Sequence, residues 1–377
     1  MNFSKLEQLI DSMPERGIPA CDLIVTRHGE TVFRRMAGYS DSAKTKPVSE
    51  NDLYWIFSAS KPVTCTAAMQ LVEQDKLRLD DPVSKYLPTF ANLTVSSTQG
   101  GAPTPAKNVM TVEHLFTMTG GLNYNSNTPN IKAAKSNPNA STLEVVNAMP
   151  KDPLDFEPGT FYRYSLCHDV LAAVVEVVSG MRFSDYMKKY IFDPLGMTDT
   201  GFRPTEAQKT RFGAAYSFVN DAGVANEIPN VNGYAYTNEY DSGGAGLFSS
   251  VNDYAKFVTT LACGGKTKDG YSLLRPETIA QMEVNRLCPD AMKNFVVGRL
   301  YGYGWGLCGR VHINPTFSLS RSSIGEFGWD GAAGAFCMVD RATETALYFG
   351  MQVHNCAYAY NVLHPVIRNL AFEGLDG

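Results

Sequence analysis

A serine and a lysine three residues apart are the first pair in this sequence whose types and spacing could do chemistry. Ser58 and Lys61 lie at the start of a segment, 61–74, whose Ala, Met, Leu and Val residues predict a helix. Residues at this spacing share a helix face. A neutral amine beside a serine hydroxyl can take its proton, and partial burial favours the neutral amine. The pair indicates a nucleophilic serine with a lysine base, although a capping serine beside a solvated lysine fits the same short pattern.

Two later segments carry residues that fit the same chemistry. Tyr164 comes just before a strongly apolar helix predicted over 169–179, and a tyrosine at such a loop end can relay a proton if a cation lowers its pKa. The segment 329–331 (Trp-Asp-Gly) precedes a predicted strand, and its glycine lets the strand edge come close to a substrate. Taken alone, Tyr164 and Trp329 also fit a simple packing role.

The most familiar-looking string lies elsewhere, at 27–30 (Arg-His-Gly-Glu). It resembles the signature of the histidine phosphatases, in which His28 would take the phosphoryl group. Such a site needs a second histidine and further arginines to clamp the transferred charge, and no other histidine stands in a matching context. The flanking segments 21–25 and 31–33 are strand-like, so we predict a polar hairpin turn here instead.

Taken in their order along the chain, the motifs resemble the serine β-lactamase and penicillin-binding-protein fold, in particular its class C-like branch with the family VIII carboxylesterases. The resemblance runs from about residue 5 to residue 372. Further strings that carry it are 81–83 (Asp-Pro-Val), 115–122 (Leu-Phe-Thr-Met-Thr-Gly-Gly-Leu), 194–197 (Pro-Leu-Gly-Met) and 243–247 (Gly-Gly-Ala-Gly-Leu).

This resemblance implies an α/β (α+β) fold, with an antiparallel sheet flanked by helices and a large, mainly helical domain. Residues 1–57 and 246–377 would form the α/β domain, and residues 58–245 the helical one. The active site would lie in the cleft between them.

The resemblance also implies a role for each motif residue. Ser58 would be the acylated nucleophile, Lys61 its activator, and Tyr164 the group that passes a proton to the leaving group and later helps water attack. The backbone N–H groups of Ser58 and Ala332 would form the oxyanion hole. The residues expected to contact substrate are Trp329, Gly331 and Leu166.

Two departures from the family pattern carry information about the substrate. Trp329 stands where β-lactamases have the lysine of Lys-Thr-Gly, and a tryptophan cannot hold a substrate carboxylate. Leu166 replaces the asparagine of the class C Tyr-x-Asn, so an amide that contacts the β-lactam side chain is missing. Both forms are familiar in the esterase branch, and an apolar wall suits an uncharged acyl group or alcohol.

The favoured function is therefore a serine hydrolase, above all a carboxylesterase that cleaves small acyl esters. A D-amino-acid peptidase, a carboxypeptidase or a weak β-lactamase would use the same residues on amides. A non-catalytic binding protein of this fold is the alternative of a different class.

Composition and charge exclude several other classes. A chain of 377 residues and 41.3 kDa buries a large core without a metal or disulfide staple, and its net charge of −5 leaves no basic excess for nucleic acid. No metal-ligand, dinucleotide or phosphate-loop pattern occurs, so no cofactor is expected, and the eight cysteines lack a C-x-x-C pair and should be mostly buried thiols. No secretory signal or run of about 18 apolar residues is present, which predicts a cytoplasmic protein without a membrane span. The expected partner is a small ester or amide substrate.

Three stretches lack a clear helix or strand period and are predicted as loops that line the substrate pocket. They are residues 92–108, 123–139 and 215–240.

Overall fold

A seven-stranded antiparallel sheet forms the centre of the computed structural model, which describes residues 1–97, 100–219, 223–296 and 298–377. The strands are β1 (Ala20–Arg27), β2 (Glu30–Gly38), β3 (Leu53–Trp55), β4 (Thr94–Val95), β5 (Thr104–Pro105), β6 (Ala215–Val219), β7 (Val224–Ile228), β8 (Phe248–Ser250), β9 (Tyr303–Trp305), β10 (Arg310–His312), β11 (Phe327–Gly328), β12 (Phe336–Asp340), β13 (Thr345–Met351) and β14 (Val353–His354). The order in the large sheet is β2-β1-β13-β12-β11-β10-β9, with its described neighbours antiparallel.

Helices pack against both faces of this sheet, and further helices lie between its two groups of strands along the chain. They are α1 (Ser4–Asp11), α2 (Ser60–Glu73), α3 (Val112–Phe116), α4 (Pro129–Lys135), α5 (Thr142–Val146), α6 (Cys167–Ser179), α7 (Phe183–Met187), α8 (Glu206–Lys209), α9 (Val251–Ala262), α10 (Pro276–Met282), α11 (Pro289–Phe295), α12 (Pro315–Ser318) and α13 (His364–Asp376). One π-helical turn, Lys188–Phe192, follows α7, and another, Ala359–Leu363, precedes α13. The predicted class, an antiparallel sheet flanked by helices, is confirmed.

Strand β1 shows why the sheet is buried on both sides. Successive side chains of a strand point to opposite faces. Leu23 and Val25 join a cluster with α1 and α13, whereas Ile24 joins the larger cluster that also contains residues of α9. A strand covered on both faces reads as a continuous apolar run, which is what this segment of the sequence shows.

The turn between β1 and β2 contains the string that resembled a phosphatase signature. His28 and Gly29 have positive φ angles of 52° and 79°, as a tight hairpin turn requires. The His28 ring lies 2.8 Å from the carboxylate of Glu344, and both side chains are exposed. The predicted hairpin is confirmed.

Helices α2 and α6 pack against each other in the middle of the chain. Residues 60–71 of α2 are all buried, and so are residues 167–175 of α6. Small and apolar residues on every face allow this complete burial. The helices predicted at 61–74 and 169–179 are confirmed, each starting slightly earlier in the structure.

The loop predicted over 215–240 is wrong in part. Strands β6 and β7 form a hairpin there, and β6 also pairs in parallel with β14. Residues 220–222 between them lie outside the described residues. Most side chains of β7 are exposed, and its sequence does not alternate between apolar and polar residues. The pattern that would predict a strand is therefore missing.

The other two predicted loops also contain regular elements. Helix α4 lies within 123–139, where Thr128 caps the helix and Pro129 takes its first position. Strands β4 and β5 lie within 92–108, where residues 98 and 99 are outside the described part of the chain. Two-residue strands are too short for a periodic pattern to reveal them.

The cysteine side chains are mostly buried, as predicted. The six that are buried are Cys21, Cys65, Cys167, Cys308, Cys337 and Cys356. Cys263 is half-buried and Cys288 is exposed.

The strands of the large sheet come from 20–38 and 303–351, and α2 to α8 lie between these segments. The larger apolar cluster contains residues of both parts, from Ile24 to Tyr348. The domain boundaries at 57/58 and 245/246 stay a prediction. No helix in the described part of the chain is both long and apolar enough to cross a membrane.

Candidate active site

Ser58 lies on a single 3-10 turn, Phe57–Ala59, that leads directly into α2. The residue before it, Phe57, has a φ of 45°, in a region that bulky residues rarely occupy. Its ring is buried against Ala245 and Ala333. The apolar contacts of Phe57 therefore hold the turn that leaves Ser58 partly exposed at the N-terminal end of the helix.

Lys61, one turn further on, is fully buried and points back toward the serine. Its Nζ lies 3.1 Å from Ser58 Oγ, 3.0 Å from the hydroxyl of Tyr124 and 2.7 Å from the carbonyl oxygen of Gly244. An ammonium group can donate to all three oxygens. A neutral amine can donate to two of them and accept the proton of Ser58, so the geometry serves both protonation states.

Burial lowers the pKa of Lys61 from its ordinary value of 10.5 to about 7, while the negative charge of Asp169 opposes the shift. Near neutral pH a sizeable fraction of the lysine is therefore uncharged. This is the state in which an amine can act as a base toward a hydroxyl.

Tyr164 also lies next to the side-chain nitrogen of Lys61. Lys61 Nζ is 4.5 Å from the centre of its ring. Burial raises the pKa of Tyr164, and hydrogen bonds with Ser58 and Trp329 work in the opposite direction. The tyrosine is thus a neutral hydroxyl in contact with the serine at neutral pH.

The segment after β11 brings Trp329 and Gly331 to the site. Trp329 Nε1 donates to the hydroxyl of Tyr164 at 2.8 Å, and its ring packs edge-on against Trp305 with centroids 4.6 Å apart. A methyl group on Gly331 would lie only 2.2 Å from the carbonyl oxygen of Ile56. Only glycine lets this segment approach the turn that carries the serine.

The structure thus brings together most of the side chains predicted from the sequence. Ser58, Lys61, Tyr164 and Trp329 form one connected group, and Ala332 follows the close approach at Gly331. The oxyanion hole of the two backbone N–H groups stays a prediction.

Leu166, predicted to contact substrate, is 3% exposed at the start of α6. It lines a cavity of about 260 Å³ together with Leu122 and Ile131. Its predicted contact with substrate stays a prediction.

Three further residues of the site were not among the site residues predicted from the sequence. Tyr124 falls in a segment predicted as loop, yet its hydroxyl contacts Lys61. Asp169 is fully buried and accepts hydrogen bonds from the hydroxyls of Tyr240 at 2.9 Å and Ser242 at 2.6 Å. Burial raises the pKa of this carboxyl, while the hydrogen bond from Ser242 and the charge of Lys61 oppose that shift. The ionised carboxylate makes the largest contribution among the groups that favour the protonated form of Lys61.

Gly244 is the third of these residues, and it separates the acid from the lysine. A methyl group on Gly244 would lie 2.6 Å from Asp169 Oδ2 and 3.5 Å from Lys61 Nζ. Its carbonyl accepts from Lys61, and the carbonyl of Gly243 accepts from Thr64 at 2.7 Å. The paired glycines in the sequence were the available signal, because glycine in such a context marks a close approach of backbone to its neighbours.

One cation lies near the tryptophan, and its charge is paired. Arg299 contacts the carboxylate of Asp330 at 2.6 Å, and both side chains are largely buried. Among the residues that the structure describes, no group of three or more His, Cys, Asp or Glu side chains is arranged to hold a metal ion.

Comparison with known proteins gives matches across nearly the whole chain. A family model described as β-lactamase matches residues 6–355. Esterase EstB of Burkholderia gladioli is 28% identical over 99% of this chain and 92% of its own. A protein of Escherichia coli strain K12, named with a provisional assignment as D-alanyl-D-alanine carboxypeptidase, is 27% identical over 90% of this chain and 80% of its own.

A solved structure agrees with these sequence matches. EstCE1, described as a hydrolase with promiscuous acyltransferase activity, superposes on this chain with a TM-score of 0.80. The two are 25% identical, and the superposition covers 98% of each chain.

Proposed function

Since the chain belongs to the β-lactamase family and is a serine hydrolase, we propose that it is a carboxylesterase that cleaves small acyl esters through an acyl-enzyme on Ser58. The β-lactamase-like fold predicted from the motifs is confirmed. The observation that carries the proposal is the 3.1 Å contact between Ser58 Oγ and the buried, partly neutral Lys61. The esterase EstB supports an ester as the bond that is cleaved, and the acyltransferase activity of EstCE1 supports an acyl-enzyme.

Acylation begins with Lys61 as the base. The neutral amine takes the hydroxyl proton of Ser58 while Oγ attacks the ester carbonyl, whose oxygen becomes negative in the tetrahedral intermediate. The N–H groups of Ser58 and Ala332 hold this oxyanion. Tyr164 gives its proton to the departing alkoxide and regains one from the Lys61 ammonium, so the net transfer is one proton from Ser58 to the alcohol.

Deacylation reverses these roles with water as the nucleophile. Water loses a proton through Tyr164 to Lys61 and attacks the acyl carbonyl. The bond to Ser58 Oγ breaks, and the serine recovers its proton from the lysine. The free carboxylic acid leaves, and the resting protonation states return.

The walls of the site favour an uncharged substrate. Trp329 and Tyr164 pack against each other with ring centroids 5.5 Å apart, and the fully buried Trp305 supports both rings from the core. The nearby charge of Arg299 is already paired with Asp330, so it does not offer a free partner to a substrate carboxylate. Esters of small uncharged acids fit this surface better than β-lactams, which carry a carboxylate.

The deciding experiment compares hydrolysis of p-nitrophenyl butyrate by the wild type and by Ser58→Ala. The mass of each intact protein is also measured by mass spectrometry after brief mixing with the ester. We expect turnover and a butyryl adduct in the wild type, and neither in the variant. Lys293→Ala, whose partner Asp290 lies on the surface, is the control and should keep wild-type turnover. Equal turnover in wild type and Ser58→Ala would refute the assignment of the nucleophile.

A carboxypeptidase is the second candidate, favoured by the Escherichia coli relative. The same proteins should be offered a peptide ending in D-alanyl-D-alanine and a chromogenic cephalosporin. Preferential turnover of the peptide would replace the esterase proposal, and slow cephalosporin cleavage would mark a weak β-lactamase. A chain that binds these compounds but forms no adduct would be a non-catalytic binding protein. The cytoplasmic location also stays a prediction.

A further inference from the structure

Outside the group of side chains around Ser58, an arginine and a tyrosine contact consecutive residues of the segment 329–332. Arg299 lies on the 3-10 turn Gly298–Leu300, and Tyr360 lies on the π-helical turn before α13. Neither residue belongs to any motif of the sequence. The arrangement therefore comes from tertiary structure alone.

Arg299 contacts three side chains at once. Its guanidinium is 2.6 Å from the carboxylate of Asp330, and its central carbon is 5.6 Å from the ring centre of Trp329 and 5.4 Å from that of Tyr360. A cation at such distances is attracted to the face of an aromatic ring. The arginine thereby fixes the tryptophan that donates to Tyr164.

Tyr360 contacts the backbone of the same segment. Its hydroxyl lies 2.9 Å from the carbonyl oxygen of Gly331 and 2.8 Å from that of Ala332, and its single proton is shared between them. The carbonyl of Gly331 and the N–H of Ala332 belong to one planar peptide group. Fixing the direction of that carbonyl fixes the direction of the N–H, and a hydrogen bond to the carbonyl strengthens the N–H as a donor.

We propose that Arg299 and Tyr360 form a clamp that positions both halves of the catalytic machinery, the Trp329 donor to Tyr164 and the Ala332 N–H of the oxyanion hole. This inference rests on the proposed function and deepens it. Both are positioning residues, because they act through Trp329 and through a peptide group. Their effect falls on the transition state, in which the oxyanion forms.

Arg299 has a second effect through charge. Asp330 is among the groups whose negative charge favours the protonated form of Lys61, and Arg299 neutralises it. In the described part of the chain, the titratable or charged groups around Lys61 are Cys65 on α2, Tyr124, Tyr164, Cys167, His168 and Asp169 on α6, and Asp330. Removing the arginine leaves the charge of Asp330 unpaired, and the pKa of Lys61 rises.

The test combines ester hydrolysis with two measurements that need no turnover. The variants are Tyr360→Phe, Arg299→Gln and the double variant Arg299→Gln/Asp330→Asn. Each is measured for kcat/KM on p-nitrophenyl butyrate, for inhibition by n-butylboronic acid, and for the rate at which a fluorophosphonate labels Ser58. The boronate and the phosphonate form tetrahedral adducts that need the same oxyanion hole.

We expect Tyr360→Phe to lose about tenfold in kcat/KM, less than the loss of a direct oxyanion donor. Boronate affinity and labelling rate should fall by the same factor, with the unfolding temperature within about 2 °C of wild type. Arg299→Gln should show a similar loss and should move the acidic limb of the kcat/KM profile to higher pH. The double variant should return that limb toward its wild-type position.

Two matched controls separate the clamp from general damage. Arg341 pairs with Glu283 over 2.6 Å at comparable burial, so Arg341→Gln removes an equivalent ion pair elsewhere. Tyr358 lies two residues before Tyr360, and its hydroxyl contacts Arg16 instead of the segment 329–332. Arg341→Gln and Tyr358→Phe should keep wild-type kinetics and pH profile.

The outcomes distinguish the two proposals. Wild-type boronate affinity and labelling in Tyr360→Phe and Arg299→Gln would overturn the clamp and leave the esterase proposal intact. A loss of kcat/KM with no loss of boronate affinity would also overturn it, because the effect would then not lie in the oxyanion hole. A wild-type chain that labels at Ser58 without hydrolysing esters would refute the esterase alone. A wild-type chain that is inert to every reagent would refute both.

Discussion

The indole N–H of Trp329 donates a hydrogen bond to the phenol oxygen of Tyr164 over 2.8 Å. The oxygen is therefore an acceptor toward the indole, and the hydrogen bond with Ser58 likewise favours the ionised form of the phenol. A donor aimed at a phenol oxygen also stabilises the phenolate, so Trp329 works against the burial that raises the pKa of this tyrosine. The sequence predicts that Trp329 takes the place of the lysine of Lys-Thr-Gly, and an indole N–H donates a hydrogen bond without carrying a charge.

Replacing Trp329 by phenylalanine should keep the apolar wall and remove this donor. We expect a loss of about 10- to 100-fold in kcat/KM on p-nitrophenyl butyrate, the usual worth of a hydrogen bond to a charged group. Trp55→Phe is the control, because the ring of Trp55 packs on Phe212 and Phe248. The control should keep wild-type kcat/KM. If Trp329→Phe also keeps wild-type kcat/KM, the hydrogen bond has no role in catalysis.

The pH dependence of the reaction should report the protonation of Lys61. Only the neutral amine can accept the serine proton, so kcat/KM should rise as the pH increases and reach half its plateau near the lysine's pKa of about 7. Lys61→Arg keeps a positive charge at every accessible pH and should lose at least about 10³-fold. A profile that is flat between about pH 5 and 9 would contradict the role of the lysine as base.

Neutralising Asp169 should shift the acidic limb of the kcat/KM profile to lower pH. Removing Arg299 should shift it to higher pH. Asp169→Asn takes away the charge that most favours protonated Lys61, so the acidic limb of kcat/KM should shift to lower pH. Asp22 is equally buried but pairs with Arg34 on the sheet, and Asp22→Asn should leave the limb in place. An unshifted limb in Asp169→Asn would show that this carboxylate does not act on the lysine electrostatically.

A methyl group at Gly331 should separate the two N–H groups that we propose as the oxyanion hole. Gly331→Ala places a carbon 2.2 Å from the carbonyl oxygen of Ile56, so the segment must move away from Ser58. We expect kcat/KM to fall by about 10²–10³, as when one oxyanion donor is lost. Gly233→Ala has open space around its added carbon and should behave as wild type. Full activity in Gly331→Ala would contradict the assigned hole.

The parts of the site that lie on one helix or in one motif were predictable, and the parts that meet only in three dimensions were not. Ser58 and Lys61 are linked by the helical repeat, and that spacing is visible in the sequence. Tyr124 and Arg299 touch the same group of side chains from segments with no periodic pattern. No local rule places such residues, because their contacts depend on how distant elements pack.

The same limit explains the errors in the fold. The buried strand β1 and helix α6 have strong apolar patterns, and their sequences predict them. Strand β7 has mostly exposed side chains and is held by its pairing with β6, so the backbone hydrogen bonds define it. A pattern based on side-chain hydrophobicity cannot detect that kind of strand.

The complete burial of Lys61 has a consequence for any attempt to engineer this protein. Its pKa of about 7 in the folded chain lies below the unfolded value of 10.5, so the unfolded chain binds more protons between these two pH values. The stability of the wild type therefore rises with pH across that window, and below it the fold carries the full cost of a buried charge. A selection that rewards heat resistance alone at neutral or acidic pH would favour an apolar residue at position 61 and discard the base. Libraries made for thermostability should hold this position fixed or be screened for turnover in the same round.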